Sequence, residues 1–162
     1  MKKFLLLILA LTFFLTGCGV KEKQFKGGGV TVTLTSDFKE YESDKWDYYL
    51  ENKEIAFMSK RVNTQSTIGE VNLSKLTLSD YLALVIATNN IKATTYKAEG
   101  INGTFYYCFY TSYKDYNDNY AYMLMVMQGK EHFYNMNFCC NYDDRELYQQ
   151  QFLQYAMTVS VI

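Results

Sequence analysis

Between Thr104 and Cys140 three strand-like runs follow one another with short turns between them, and this stretch constrains the fold more than any other. The first run, Thr104 to Tyr113, is almost wholly aromatic or β-branched, the composition of a strand. Both of its parities are largely apolar, so both faces are expected to be covered. Lys114 to Asn119 carries Asp115, Asn117, Asp118 and Asn119, the residue types of a turn. The second run, Tyr120 to Gln128, sets Ala121, Met123, Met125 and Met127 on one face and Tyr122, Leu124 and Val126 on the other. Gly129-Lys130 reads as a two-residue loop with glycine first, a type II′ hairpin turn. In the third run, Glu131 to Cys140, His132, Tyr134, Met136, Phe138 and Cys140 share one face. Glu131, Phe133, Asn135, Asn137 and Cys139 share the other, which is half polar.

Upstream, Val30-Thr31-Val32-Thr33-Leu34-Thr35 alternates strictly and predicts a half-buried strand. Trp46 to Leu50 and Glu54 to Val62 predict a hairpin around Glu51-Asn52-Lys53, and Asn63 to Ser74 a connecting loop. Thr77 opens a helix, with Asp80 at the spacing of a capping box and Leu78, Tyr81, Leu82, Val85 and Ile86 on one stripe. Asn89-Asn90 is its expected end, and Thr94 to Glu99 predicts a short strand. Near the end of the sequence, Asp143 with Glu146 predicts a second capped helix, whose stripe is Tyr148, Phe152 and Tyr155. Thr158 to Ile162 is expected to return to a sheet edge.

The first residues have the layout of a secretory leader: Lys2 and Lys3, then the apolar Phe4 to Leu15, too short to span a bilayer. Leu15-Thr16-Gly17-Cys18 resembles a bacterial lipobox, in which small residues precede a cysteine that receives a diacylglyceryl group. That resemblance implies a leader over 1–17 and lipid attachment at Cys18. The alternative is an ordinary signal peptide followed by a chance cysteine. Acyl chains contribute about 0.8 kcal/mol per buried CH₂, so two would hold the protein at a cell membrane, facing outside the cytoplasm. Residues 18–29, with Gly27-Gly28-Gly29, are expected to be the lipidated cysteine and a flexible tether. Residues 30–162 then form one domain. The 16 Lys and Arg residues against 17 Asp and Glu argue against a nucleic-acid partner.

Two helices with these strands predict an α+β class: a single largely antiparallel sheet with helices on both faces, an α/β/α sandwich. The chain resembles the PsbP-like proteins, which include bacterial lipoproteins. The resemblance is carried by Gly29-Val30-Thr31-Val32-Thr33-Leu34, the helix start Leu78-Ser79-Asp80-Tyr81-Leu82, the strand Gly103 to Tyr113 and the stretch Phe152 to Val161. The proline that follows the opening strand in many members is missing. The resemblance implies that sandwich and an accessory or binding role.

No reaction is legible. Cys108 and the pair Cys139-Cys140 fall on the first and third strands of the meander, about 9–10 Å apart. That is beyond the roughly 7 Å Cα separation a disulfide spans, so they are expected to be small core residues. His132, the single histidine, lies eight residues from Cys140, about 26 Å along a strand, so no metal site is expected. No phosphate loop follows the glycines, and Asp143, Asp144 and Glu146 are accounted for by a helix start. No cofactor is implied. The candidate site is aromatic: Tyr110, Tyr113, Tyr116, Tyr120 and Tyr122 gather at one hairpin end, offering flat apolar faces with polar tips to a ligand or an envelope protein. Solvent-exposed strand residues are the plainer account of the same tyrosines. The expected function is therefore a non-catalytic binding or accessory lipoprotein. A lipid-anchored hydrolase of the cell envelope and a solute-binding lipoprotein are the alternatives.

Overall fold

The computed structural model describes residues 21–114 and 118–162. The leader, Cys18, the turn residues 115–117 including Tyr116, and the side chain of Tyr113 lie outside the described residues.

The described residues begin with a hairpin, β1 (Glu22–Gly27) and β2 (Val30–Thr35). A short β3 (Lys39–Glu40) precedes a second hairpin, β4 (Tyr48–Glu51) and β5 (Ile55–Asn63). A two-stranded ribbon, β6 (Thr67–Ile68) and β7 (Val71–Asn72), interrupts the segment expected to be loop and leads into α1 (Leu78–Thr88). The strands β8 (Thr95–Gly100), β9 (Gly103–Lys114), β10 (Asp118–Gln128) and β11 (His132–Asn141) follow, then α2 (Arg145–Met157) and β12 (Ser160–Val161).

These strands divide among three sheets, which corrects the expected single sheet with a helix on each face. The main sheet has seven antiparallel strands in the order β3-β4-β5-β11-β10-β9-β8, a second has the order β1-β2-β12, and β6-β7 is the third. The protein is mostly β, and a layer assigned to a helix is largely a sheet. Val30, Val32 and Leu34 of β2 share one buried cluster with Met123, Met125, Tyr134, Met136 and Phe138 of the main sheet. Phe152, Tyr155 and Ala156 of α2 belong to that same layer, packed against both sheets. The two-faced apolar pattern of β9 and β10 requires covering but does not specify what covers it. The strict alternation of β2 supplies an apolar face that has to be buried somewhere. The other face of the main sheet carries Cys108, Leu124, Val126 and Phe133, which bury Tyr81 and Leu82 of α1.

The tether is also corrected. Glu22 to Gly27 pair with Val30 to Thr35 in register from Glu22↔Thr35 to Gly27↔Val30. Gly28 (φ 54°) and Gly29 (φ 79°) form the two-residue turn, and positive φ at both positions is the type I′ geometry that suits strand twist. Phe25 is the one buried side chain of β1, which is why periodicity left this strand unread.

The Gly129 loop differs from its expectation. Gly129 has no positive φ, so the turn is not type II′; its N–H donates to the His132 carbonyl at 2.9 Å. The glycine is required for close approach, because a Cβ there would overlap the Ile162 carbonyl oxygen. The capping box of α1 is as read: the Thr77 hydroxyl accepts from Asp80 N–H, and Thr77 N–H donates to Asp80 Oδ2, both at 3.2 Å. The expected cap of α2 is displaced. Asn141 Oδ1 accepts from Asp143 N–H and caps a 3-10 turn over Tyr142–Asp144, so the helix begins only at Arg145, without a side-chain cap.

Candidate functional site

Helix α1 is shorter than the sheet face it covers. Its first turns bury Tyr81 against Phe133, with ring centroids 4.1 Å apart and planes 11° apart. Beyond Asn89, where Asn90 turns to positive φ and ends the helix, the rest of that face is open. The result is a groove of about 1010 Å³. Val85, Asn89 and Ile91 form one wall, Lys45 and Trp46 stand at the β4 side, and Asn52, Lys53 and Glu54 close one end.

Strand register builds its floor. Glu51, Ala56, Cys139, Tyr122 and Tyr110 are successive partners across β4, β5, β11, β10 and β9, so they form one row over five strands. Side chains two residues along form the next row: Tyr49, Met58, Asn137, Leu124 and Cys108. The pleat turns both rows to the α1 side.

Polar groups are held among these rings. The Tyr110 hydroxyl donates to Asn137 Oδ1 at 3.2 Å, and Asn137 is buried. Asn135 Nδ2 donates to the Tyr81 hydroxyl at 2.9 Å, while Asn135 Oδ1 is buried without a partner. Tyr49 donates through its hydroxyl to the Glu51 carboxylate. Burial, reinforced by neighbouring groups, pushes the hydroxyls of Tyr49, Tyr110 and Tyr122 well above the ordinary tyrosine range. They therefore remain hydrogen-bond donors at neutral pH. Burial pushes the Cys139 thiol up to about 12 and that of Cys108 up to about 11. Both are neutral, poorly nucleophilic thiols. Cys108, Cys139 and Cys140 are free, and β10 lies between the strands that carry them.

Of the tyrosines singled out from sequence, Tyr110 and Tyr122 stand in the floor and Tyr120 also lines the groove. Sequence reasoning missed the opposite half, formed by Trp46, Tyr49, Met58, Asn135 and Asn137. A signal was present for the two amides: they break an otherwise apolar parity on a central strand. His132 lies at the far end of β11 from the groove, paired with Asn63, its ring 6.2 Å from that of Tyr134. Among the described residues no group of three or more His, Cys, Asp or Glu is placed to hold a metal ion.

No family model and no curated protein matches the chain. Solved structures do. The chain is similar to the cyanobacterial PsbP (CyanoP) of Synechocystis sp., with a TM-score of 0.58 and 10% identity over 91% of this chain and 99% of that one. It is also similar to the Ran-binding protein Mog1p of Saccharomyces cerevisiae, with a TM-score of 0.53 and 10% identity over 88% and 95% of the two chains. A Bacteroides thetaiotaomicron protein matches with a TM-score of 0.56 and 13% identity over 86% of this chain; this chain spans 48% of its length. At such identities the likeness concerns the fold alone, and the fold is PsbP-like.

Proposed function

We propose that this chain is a non-catalytic binding or accessory module, held at the outer face of a cell membrane through a lipid on Cys18, and that the groove receives its ligand or envelope partner. The observation that carries the reading is the floor itself, where Tyr110, Tyr122 and Asn137 combine ring faces with hydrogen-bonding groups in a preformed concavity. The anchor is supported by the lipobox-like Leu15-Thr16-Gly17-Cys18. A binding role is supported by the PsbP-like fold, one of whose neighbours is described as a Ran-binding protein. The protonated Cys139 and Cys108 thiols favour packing over nucleophilic chemistry.

The test is cross-linking mass spectrometry on the full-length protein in its native membrane, beside the same chain with Tyr120→Ala and Asn137→Leu. The expected result is acylated Cys18 by intact mass and cross-links through Lys53 or Lys60 that are lost in the variant. Cross-links unchanged by the two substitutions would overturn the assignment of the groove, and an unmodified Cys18 would overturn the anchor.

A further inference from the structure

The ordering of β1 changes what an anchor at Cys18 would do. Gly19, Val20 and Lys21 are all that separate Cys18 from Glu22, so the two Cα atoms are at most about 14 Å apart at roughly 3.6 Å per residue. The chain leaves the fold near the turn between β4 and β5. The Lys21 carbonyl accepts from Ser36 N–H, and the next residue, Asp37, accepts from Asn52 Nδ2 at 3.0 Å. Asn52 and the following Lys53 and Glu54 form one end of the groove. The exit of the chain and that end of the groove therefore share one pole of the molecule.

The lining selects among ligands found at such a surface. Lys45, Lys53 and Lys60 are balanced by Glu51, Glu54 and Asp144, so the groove has no net field to hold a phosphate. Apart from Glu51, its floor is uncharged. The Asn137 amide uses its oxygen for Tyr110, and among the described residues its Nδ2 has no protein partner. With tyrosine hydroxyls held protonated beside it, the floor offers donors and acceptors to hydroxyl groups, and Trp46 and Tyr120 offer rings to the C–H faces of a sugar.

We propose that the groove opens toward the bilayer and binds the uncharged glycosyl headgroup of a membrane lipid. This rests on the Cys18 anchor and names the ligand of the same groove. The probe is monoglucosyl-diacylglycerol. Full-length protein, its acylation established by intact mass, is reconstituted in phosphatidylcholine nanodiscs with and without that lipid. Two readouts are followed: amide exchange in the Glu51–Ile55 turn, and the emission of Trp46, the single tryptophan of the chain. The glucosyl lipid is expected to slow exchange severalfold and shift the emission, with both effects lost in Asn137→Leu, a variant required to keep the native circular dichroism spectrum. Equal slowing in phosphatidylcholine alone would place the pole at the membrane but overturn headgroup recognition. An acylated chain with no response to either membrane overturns the proposal outright. An unacylated Cys18 instead overturns the anchor, and this inference with it.

Discussion

Tyr122 stands directly opposite Tyr110 across the β10–β9 ladder, and their rings stack with centroids 4.9 Å apart and planes 12° apart. The pair is where fold and groove meet. It lies on the cross-strand ladder of the hairpin and lines the groove.

Such a pair contributes about 0.5–1.5 kcal/mol beyond the area it buries. A double-mutant cycle over Tyr110→Leu and Tyr122→Leu, measured by urea unfolding, is expected to return a coupling in that range. Additive effects would mean that the stacking contributes nothing of its own.

The capping box gives an acid-sensitive contribution. The Thr77 side chain first, and its backbone N–H second, hold the Asp80 carboxyl below the ordinary carboxylate range. A carboxylate whose folded pKa is depressed stabilises the fold fully above its unfolded value of about 4, and this is lost as pH falls through the folded value. Urea midpoints of the native protein and Asp80→Asn should therefore differ at pH 7 and converge in acid. A constant difference across that window would show that the box carries no linked proton.

Gly129 and Gly69 are glycines for two different reasons, space and conformation. Gly69 has φ 60°, and an added Cβ would find no atom within 4 Å, so alanine there meets only backbone strain, about 1–2 kcal/mol. At Gly129 the new methyl would run into the Ile162 carbonyl, and overpacking of this kind costs about 1–3 kcal/mol, with displacement of the Val161-Ile162 segment. Amide exchange at Ile162, which donates to the Gly29 carbonyl at 3.2 Å, should accelerate in Gly129→Ala and stay unchanged in Gly69→Ala.

The thiols should be silent in the folded protein. With Cys108 pushed up to about 11 and Cys139 up to about 12 by burial, both stay protonated at pH 8. An aromatic disulfide reagent should then label them slowly until urea unfolds the chain. A group whose folded pKa is raised stabilises the fold below its unfolded pKa, near 8.5, and that stability is lost as pH rises through the folded value. Stability should decline in alkali, less steeply in Cys139→Ala. Rapid native labelling at pH 8 would show that the site is open to solvent.

The elements that were readable from sequence carry their own signals. Thr77 with Asp80 announced α1, and the parity of Met123, Met125 and Met127 announced a buried strand face. What escaped reading depends on partners distant in the chain. The lone apolar Phe25 gives β1 no period, although Gly28-Gly29 beside an alternating strand is itself a hairpin signal. Val30, Val32 and Leu34 declare an inward face without saying whether it joins the main sheet or covers it. α2 lost its expected cap because a 3-10 turn, capped by Asn141, occupies the residues that Asp143 was expected to lead. The groove escaped because it exists only where α1 stops short, and its two sides come from β4 and β9, which are adjacent neither in sequence nor in the sheet.

The hairpin at the start of the fold also decides how the molecule bears load. Tension applied along β1 from its first residue acts lengthwise on the whole ladder from Glu22↔Thr35 to Gly27↔Val30, and those hydrogen bonds must slip together rather than break in succession. β2 is in turn held by Thr158, whose hydroxyl accepts from Thr33 N–H at 3.0 Å. A strand that looks dispensable by its composition thus stands in the path of any load on the domain, which would be shared between this backbone ladder and the core ring of Phe25.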